Sequence, residues 1–519
     1  MVGLRSKVSP KTIKIVVIII LAVLSLGILA NSMIKPLGRD EQMYCTGGVL
    51  MAQGKMIYRD FSYVAQLPYH PLLYSVLFRI LNTNHYLLVG RMVSVVCDIL
   101  MVLCIAGIYR HIFGKYKICG TLLGTAAAVL YVFNPLVDYA NGYAWNHDVV
   151  ILCVVLSFWL LISTEFTQKS RYRRTAAIGV LLTFASCMRV TTVLVQLLFF
   201  AALLSHLAES MKQRIKTVLP FLVATAVVLI WPVWVIASAG QAFFLNLVWI
   251  PKLYGGWLHE VGMVRNKLGL TLSALKTPGY FVLIVIAVYL FIVVVCQRKK
   301  LAKIDSRNLL FAPLLVLVFF VIALIPPTMW KQYLAMPVPF MVISFAYPLF
   351  YLRQLADKAK NNKQFKIACG VVAVCVVLAV FSYSVVLSRT VVLLYPEGWV
   401  PIRVHKISQD IAEKTKESKK ILTLAPLFAL EGGCDIYTEL SCGSIVYRIG
   451  DRLSAWNGDI THTAGPSDLA EMVEKEPPSA VIVNVEMMRF LEEDLIKTAV
   501  KPDWERKDYE YGPVVYFRR

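Results

Sequence analysis

The chain has 519 residues, 58% of them hydrophobic and 16% charged, with a mean hydropathy of +0.65. Soluble domains carry about 25% charged residues, so the composition excludes an ordinary soluble globular protein and fits a polytopic α-helical membrane protein. The net charge of +21 does not point to nucleic acid: basic residues collect in the cytoplasmic loops of such proteins, and no basic, aromatic-interleaved segment occurs.

The N-terminal "MVGLRSKVSPKTIK" is basic and leads into "IVVIIILAVLSLGILANSMI". That apolar run exceeds the roughly 7–15 residues of a signal peptide core, so 13–34 reads as a retained first membrane span. The outer loop 35–86 follows, opening with "KPLGRDEQMYCTGGVLMAQGKMIYRDFSYVAQLPYHPLLY". Most connections run about 4–6 residues, so this loop is more than a connector. Its pieces 41–53 and 68–82 are amphipathic and are expected to lie flat on the membrane and wall a cavity.

Further stretches near the ~20 apolar residues of a span occur at 87–108, 118–136 and 148–164. The run 175–208 is too long for one span and is broken by Arg189, giving two short helices, 175–188 and 191–207. Spans at 217–237, 279–297, 309–325, 335–352 and 366–387 complete an expected set of about eleven. With the N-terminus in the cytoplasm, the basic loops 109–117, 165–174, 209–216, 297–307 and 353–366 all fall inside. The loops 35–86, 137–147, 238–278 and 326–334, and the Arg189 turn, then lie outside.

An odd number of spans places 388–519 outside as well. "KKILTLAP", "SAVIVNV" and "GPVVYFRR" have strand character and "DLAEMVEK" a helical period, which predicts a small extracytoplasmic α/β domain. No glycine-rich nucleotide loop occurs in it. Most of the 11 cysteines lie in apolar runs, as inert buried thiols do. Cys434 and Cys442 fall in the polar C-terminal part, where an oxidising compartment would let them pair as a disulfide.

The unusual polar residues gather at the outer ends of the spans: Asp40, Glu41, Arg91, Asp138, His147, Asp148, Arg189 and Lys331. Transporters and channels place ionisable groups along helix centres, so this distribution favours an enzyme with a site at the outer interface. Asp98, at a mid-span position, reads as a structural polar contact. Each outer group also has a plainer reading: helix-end carboxylates are often only solvated, and basic side chains snorkel to headgroups. Arg189, between two short helices, fits that reading least. Together the cations suit a lipid phosphate and the acids a hydroxyl proton.

These segments resemble a known family. "GRDEQMY" and "GKMIYRDFSYVAQLPYHPLLY" are similar to the first outer loop of C-type (GT-C) membrane glycosyltransferases, among them bacterial enzymes like protein O-mannosyltransferases and lipid A aminoarabinose transferases. "LLVGRMVSV", "WNHDVVIL", "GVLLTFASCMRVTTVL" and "KQYLAMPVPF" fit later segments of that family over roughly 10–390. The family's doubled proline is "LPYHP" here.

The resemblance implies a catalytic membrane part, 1–387, with the soluble part 388–519 like the tail of bacterial members. It implies an inverting transfer of a sugar from a polyprenyl phosphate to a hydroxyl of a lipid A, polysaccharide or protein acceptor. The site would face outward from the bacterial cytoplasmic membrane. Asp40 would be the catalytic base. Arg189, Lys331, Tyr333 and Arg91 would hold the lipid phosphate, and Glu41, His147, Asp148, Tyr58 and His70 the sugar and acceptor. No cofactor is required, and a metal is not demanded, although Asp40, Glu41 and Asp148 leave a divalent cation open. The rival readings are a lipid-linked saccharide flippase and an O-antigen ligase or polymerase.

Overall fold

In the computed structural model the described residues are 9–519 apart from 167, 206–210, 265, 298–305, 327, 328, 417, 487 and 511. The expected basic loop 297–307 therefore lies almost wholly outside them, and 209–216 partly so. The membrane part is helical throughout. α1 (Pro10–Ile34) starts on a Ser9 cap, whose hydroxyl accepts the Thr12 N–H at 3.1 Å. Pro10 suits the first helical position because its missing N–H would have no helical partner there. α2 (Arg39–Ala52) and α3 (Tyr69–Leu81) form the first loop. α4 (Tyr86–Ile112), α5 (Lys117–Val132), α6 (Pro135–Ala140), α7 (His147–Ile162), α8 (Ser170–Ser186), α9 (Val193–Ser205) and α10 (Met211–Ser238) follow. Then come α11 (Gly240–Phe244), α12 (Ile250–Glu260), α13 (Lys267–Leu275), α14 (Pro278–Cys296), α15 (Ser306–Leu324), α16 (Val338–Ser344), α17 (Ala346–Lys358) and α18 (Lys363–Ser382).

Most of the expected spans fall on one helix each, but 335–352 is divided between α16 and α17, and 366–387 runs past the end of α18. Among the described residues six stretches are long and apolar enough to cross a membrane: Pro10–Ile34, Tyr86–Ile112, Lys212–Ser238, Pro278–Cys296, Lys331–Lys358 and Lys363–Ser382. The helices α5, α7, α8 and α9 have 13–17 residues, or about 20–26 Å at 1.5 Å per residue. That is short of a ~30 Å hydrocarbon core. Large apolar side chains point outward along the spans, Ile230, Phe291 and Phe381 among them, as lipid-facing positions do.

Helices in lipid gain no hydrophobic drive from packing together, so close approach through small residues matters. At Gly124 of α5 an added Cβ would lie 2.9 Å from the Cα of Ala106 in α4. The first loop uses the same device. At Gly48 of α2 a Cβ would lie 2.6 Å from that of Tyr74 in α3, so only glycine lets the two loop helices close on each other.

Beyond the short helix α19 (Val385–Ser388) and α20 (Val400–Lys414), the chain builds a five-stranded sheet. Its strands are β1 (Lys420–Thr423), β2 (Asp435–Ile436), β3 (Ala480–Val483), β4 (Glu505–Asp508) and β5 (Val514–Phe517), in the order β2-β1-β3-β5-β4. β1 runs parallel to β2 and β3, while β5 is antiparallel to β3 and β4. Between β1 and β2, α21 (Pro426–Glu431) packs toward the membrane part. Cys434 and Cys442 are both buried free thiols, so the expected disulfide is not formed. Cys442 instead meets the Ser62 carbonyl of the first loop at 3.0 Å.

Candidate active site

The site is built where α1 ends. Lys35, just past the helix, turns inward and donates from Nζ to the carbonyls of Asp138 and Asn141 at 2.5 Å each and of Tyr139 at 3.1 Å. Burial, opposed by Asp138, lowers its pKa to about 8. Arg91 of α4 reaches the same corner. Its Nη1 donates to the carbonyls of Ser32 and Lys35 at 2.8 Å each, and Nη2 to that of Pro36 at 3.1 Å. The exit of α1 is thus tied down by two cations working on backbone carbonyls.

Glu41 completes the corner. Arg91 grips it with both forks, Nε to Oε1 at 2.9 Å and Nη2 to Oε2 at 2.8 Å. Glu41 also accepts the N–H of Ala144 at 2.7 Å and of Gly38 at 2.8 Å. Neither side chain of the pair is exposed. Bidentate geometry and a full set of hydrogen bonds are what make a buried ion pair tolerable. This corrects one expectation, since Arg91 has no free donor for a lipid phosphate; Glu41 borders the cavity with Asp40, its oxygens taken up by these bonds. The pair instead fixes the first turn of α2, and with it Asp40.

Asp40 borders a cavity of about 370 Å³, within the usual size range of ligand sites. Around it stand Tyr44, Gln66, Tyr143, Trp145, Tyr254 and Tyr333. The walls come from the first loop, the segment before α7, α12 and the segment before α16, and Ile445 of the C-terminal part closes one side. Neither Arg189 nor Lys331 lines the cavity, but each stands against a ring that does. The Arg189 guanidinium lies 4.9 Å from the Tyr333 ring centre, and Lys331 Nζ 5.8 Å from that of Tyr139. Tyr44 senses both signs: burial first, then the Asp40 carboxylate, raise its phenol well above the ordinary value, and Arg189 opposes them.

The other expected site residues stand one layer back. His147 and Asp148 are buried at the head of α7, where Asp148 Oδ2 accepts the Gly142 N–H at 3.1 Å. Tyr58 lies under the loop, with its hydroxyl on the Gln66 carbonyl at 2.6 Å and its ring against Phe243. His70 is wedged between the rings of Tyr44 and Tyr74, and burial pushes its imidazole down to about 3. Neither Tyr58 nor His70 lines the cavity, which corrects that expectation: both shape the loop from beneath. Among the described residues no group of three or more His, Cys, Asp or Glu side chains is placed to hold a metal ion.

Several contributors were not anticipated. Asn146 donates to the Gln66 side chain at 2.8 Å and to the Met188 carbonyl at 3.0 Å, joining the first loop to the Arg189 turn. Asn246, in a π-helical turn after α11, accepts the Ser62 hydroxyl at 2.7 Å and the Tyr63 N–H at 2.9 Å. Its signal was a lone amide within "FFLNLVWI". Arg448 of the C-terminal part pairs with buried Glu486 at 2.9 Å and donates to the Tyr254 hydroxyl at 3.1 Å. Nothing local in the sequence links Arg448 to the cavity.

Residues 66–236 match the family model of dolichyl-phosphate-mannose-protein mannosyltransferase. No curated protein sequence matches the chain. The crystal structure of ArnT from Cupriavidus metallidurans bound to undecaprenyl phosphate is similar over 98% of both chains, with TM-score 0.62 and 12% identity. The apo form of the same protein is similar over 97% of this chain and 98% of that one, with TM-score 0.58 and 14% identity. The chain therefore has the fold of the GT-C membrane glycosyltransferases.

Proposed function

We propose that this protein is a membrane glycosyltransferase that moves a sugar from a polyprenyl phosphate to a hydroxyl of a cell-envelope acceptor. The observation that carries the reading is one cavity bordered by the Asp40 carboxylate and by Tyr333, the ring on which Arg189 is stacked. The family match and the shared fold support a lipid-linked sugar as donor. In this reading the site faces outward from a bacterial cytoplasmic membrane, as the basic loops suggest.

Asp40 accepts the proton of the acceptor hydroxyl as its oxygen attacks the anomeric carbon. The bond from that carbon to the phosphate oxygen breaks, and the lipid phosphate leaves with the electron pair. Attack from the face opposite the leaving group inverts the configuration. Arg189 and Lys331 stabilise the charge that gathers on the phosphate, an electrostatic contribution to the transition state. Tyr333 holds Arg189 by its ring face. Glu41 and Arg91 set the position of Asp40, while Asp148 and His147 support the wall from behind.

Mass spectrometry of surface glycans from a deletion strain and its parent tests the reading. A single missing monosaccharide is the expected result, and it would identify the sugar and its acceptor. Accumulation of whole lipid-linked oligosaccharides inside the cell would overturn it in favour of a flippase, and unattached completed polymer in favour of a ligase.

A further inference from the structure

A second cavity lies at the far end of the membrane part. α4 has 27 residues, so its C-terminal end is about 40 Å from its start beside the candidate active site. There the turn Gly114–Tyr116, α5, α17 and α18 enclose an open groove of about 760 Å³. Its mouth carries Lys115, Lys117 and Arg353, and its floor is apolar, with Leu122, Val372 and Ala373.

The charges at the mouth do not cancel. Asp357 is paired with Arg353 at 3.2 Å and with Lys115 at 3.6 Å, and the Tyr116 hydroxyl also donates to it. Three cations against this one carboxylate leave an excess of two positive charges. Arg353 is held in place, with its guanidinium 4.7 Å from the Tyr116 ring and 5.7 Å from Phe365. Lys115 and Lys117 are exposed. A fixed cationic rim above an apolar groove between helices matches an anionic headgroup with an acyl chain beneath it, and basic pockets between membrane helices bind such lipids.

We propose that this groove binds one anionic glycerophospholipid of the leaflet opposite the candidate active site. The phosphate sits among Lys115, Lys117 and Arg353, and an acyl chain lies along Leu122, Val372 and Ala373 between α5 and α18. The lipid would bridge these two helices at the end of the membrane part away from the candidate active site.

Native mass spectrometry of the full-length protein in detergent, titrated with phosphatidylglycerol or with phosphatidylcholine of the same acyl chains, tests this. Tighter binding of phosphatidylglycerol is expected. The double variant Lys115→Gln/Lys117→Gln, which changes only exposed side chains, should weaken that lipid by roughly 25-fold, about fivefold for each lysine, and leave phosphatidylcholine unchanged. Ala373→Trp, which fills the groove, should remove the bound lipid while the rim stays intact. Equal binding of the two lipids by the unaltered protein would overturn the proposal. So would wild-type retention of phosphatidylglycerol in either variant.

Discussion

Two neighbouring acids, Asp40 and Glu41, both border the cavity but differ in how far the protein takes up their oxygens. Glu41 is sealed with Arg91, and its oxygens take four hydrogen bonds from the protein. Asp40 borders the cavity. Successive residues of a helix point about 100° apart, so the buried neighbour sets the direction in which Asp40 can face. Breaking a buried pair by neutralising one member leaves an uncompensated charge and costs about 3–5 kcal/mol. Glu41→Gln should therefore lower the melting temperature in detergent sharply, as followed by intrinsic tryptophan fluorescence, with activity lost only as fold is lost. The sequence made both acids conspicuous but could not divide their roles. The partner of Glu41 lies fifty residues along the chain, and its other contacts are backbone groups, which no side-chain pattern reveals.

At the scale of elements, the helices were legible because apolar runs and Arg189 mark them directly. The first-loop pieces 41–53 and 68–82 also match α2 and α3 closely, but the apolar run 335–352 did not show that it breaks into α16 and α17. The connection between elements was hidden too. Lys35, an ordinary basic residue after a span, joins the end of α1 to three carbonyls around α6. Its folded pKa of about 8 lies below the ordinary lysine value of 10.5. Between those values the unfolded chain holds the extra proton, so folding gains stability as pH rises through that window. Below about pH 8 the proton is held in both states, and the burial cost is fully present. Lys35→Met removes both the titration and the carbonyl contacts. The melting temperature of the wild type should therefore climb relative to that of Lys35→Met between about pH 8 and 10, in a paired series of melts. Parallel curves would show that Lys35 does not titrate there.

Across the whole molecule, the candidate active site is assembled from distant pieces. The C-terminal part reaches it through Arg448 and Tyr254 and through Ile445, and is tethered nearby by buried Glu431, which accepts the Leu87 N–H at 2.7 Å and meets His405 at 3.2 Å. The strand runs in "KKILTLAP", "SAVIVNV" and "GPVVYFRR" announced this sheet. Its contacts with the cavity had no sequence signal, because they depend on how the two parts dock. The gathering of most polar residues at one end of the spans was visible, yet several of them, His147 and Asp148 among them, do not line the cavity. The central claim rests on Asp40 as the base. The most direct measurement is sugar transfer by purified protein supplied with undecaprenyl-phosphate-linked sugar and acceptor, comparing the wild type with Asp40→Asn. Loss of a general base is expected to slow transfer by about 10²–10⁴-fold, with the melting temperature unchanged. Transfer by Asp40→Asn at the wild-type rate would contradict the account.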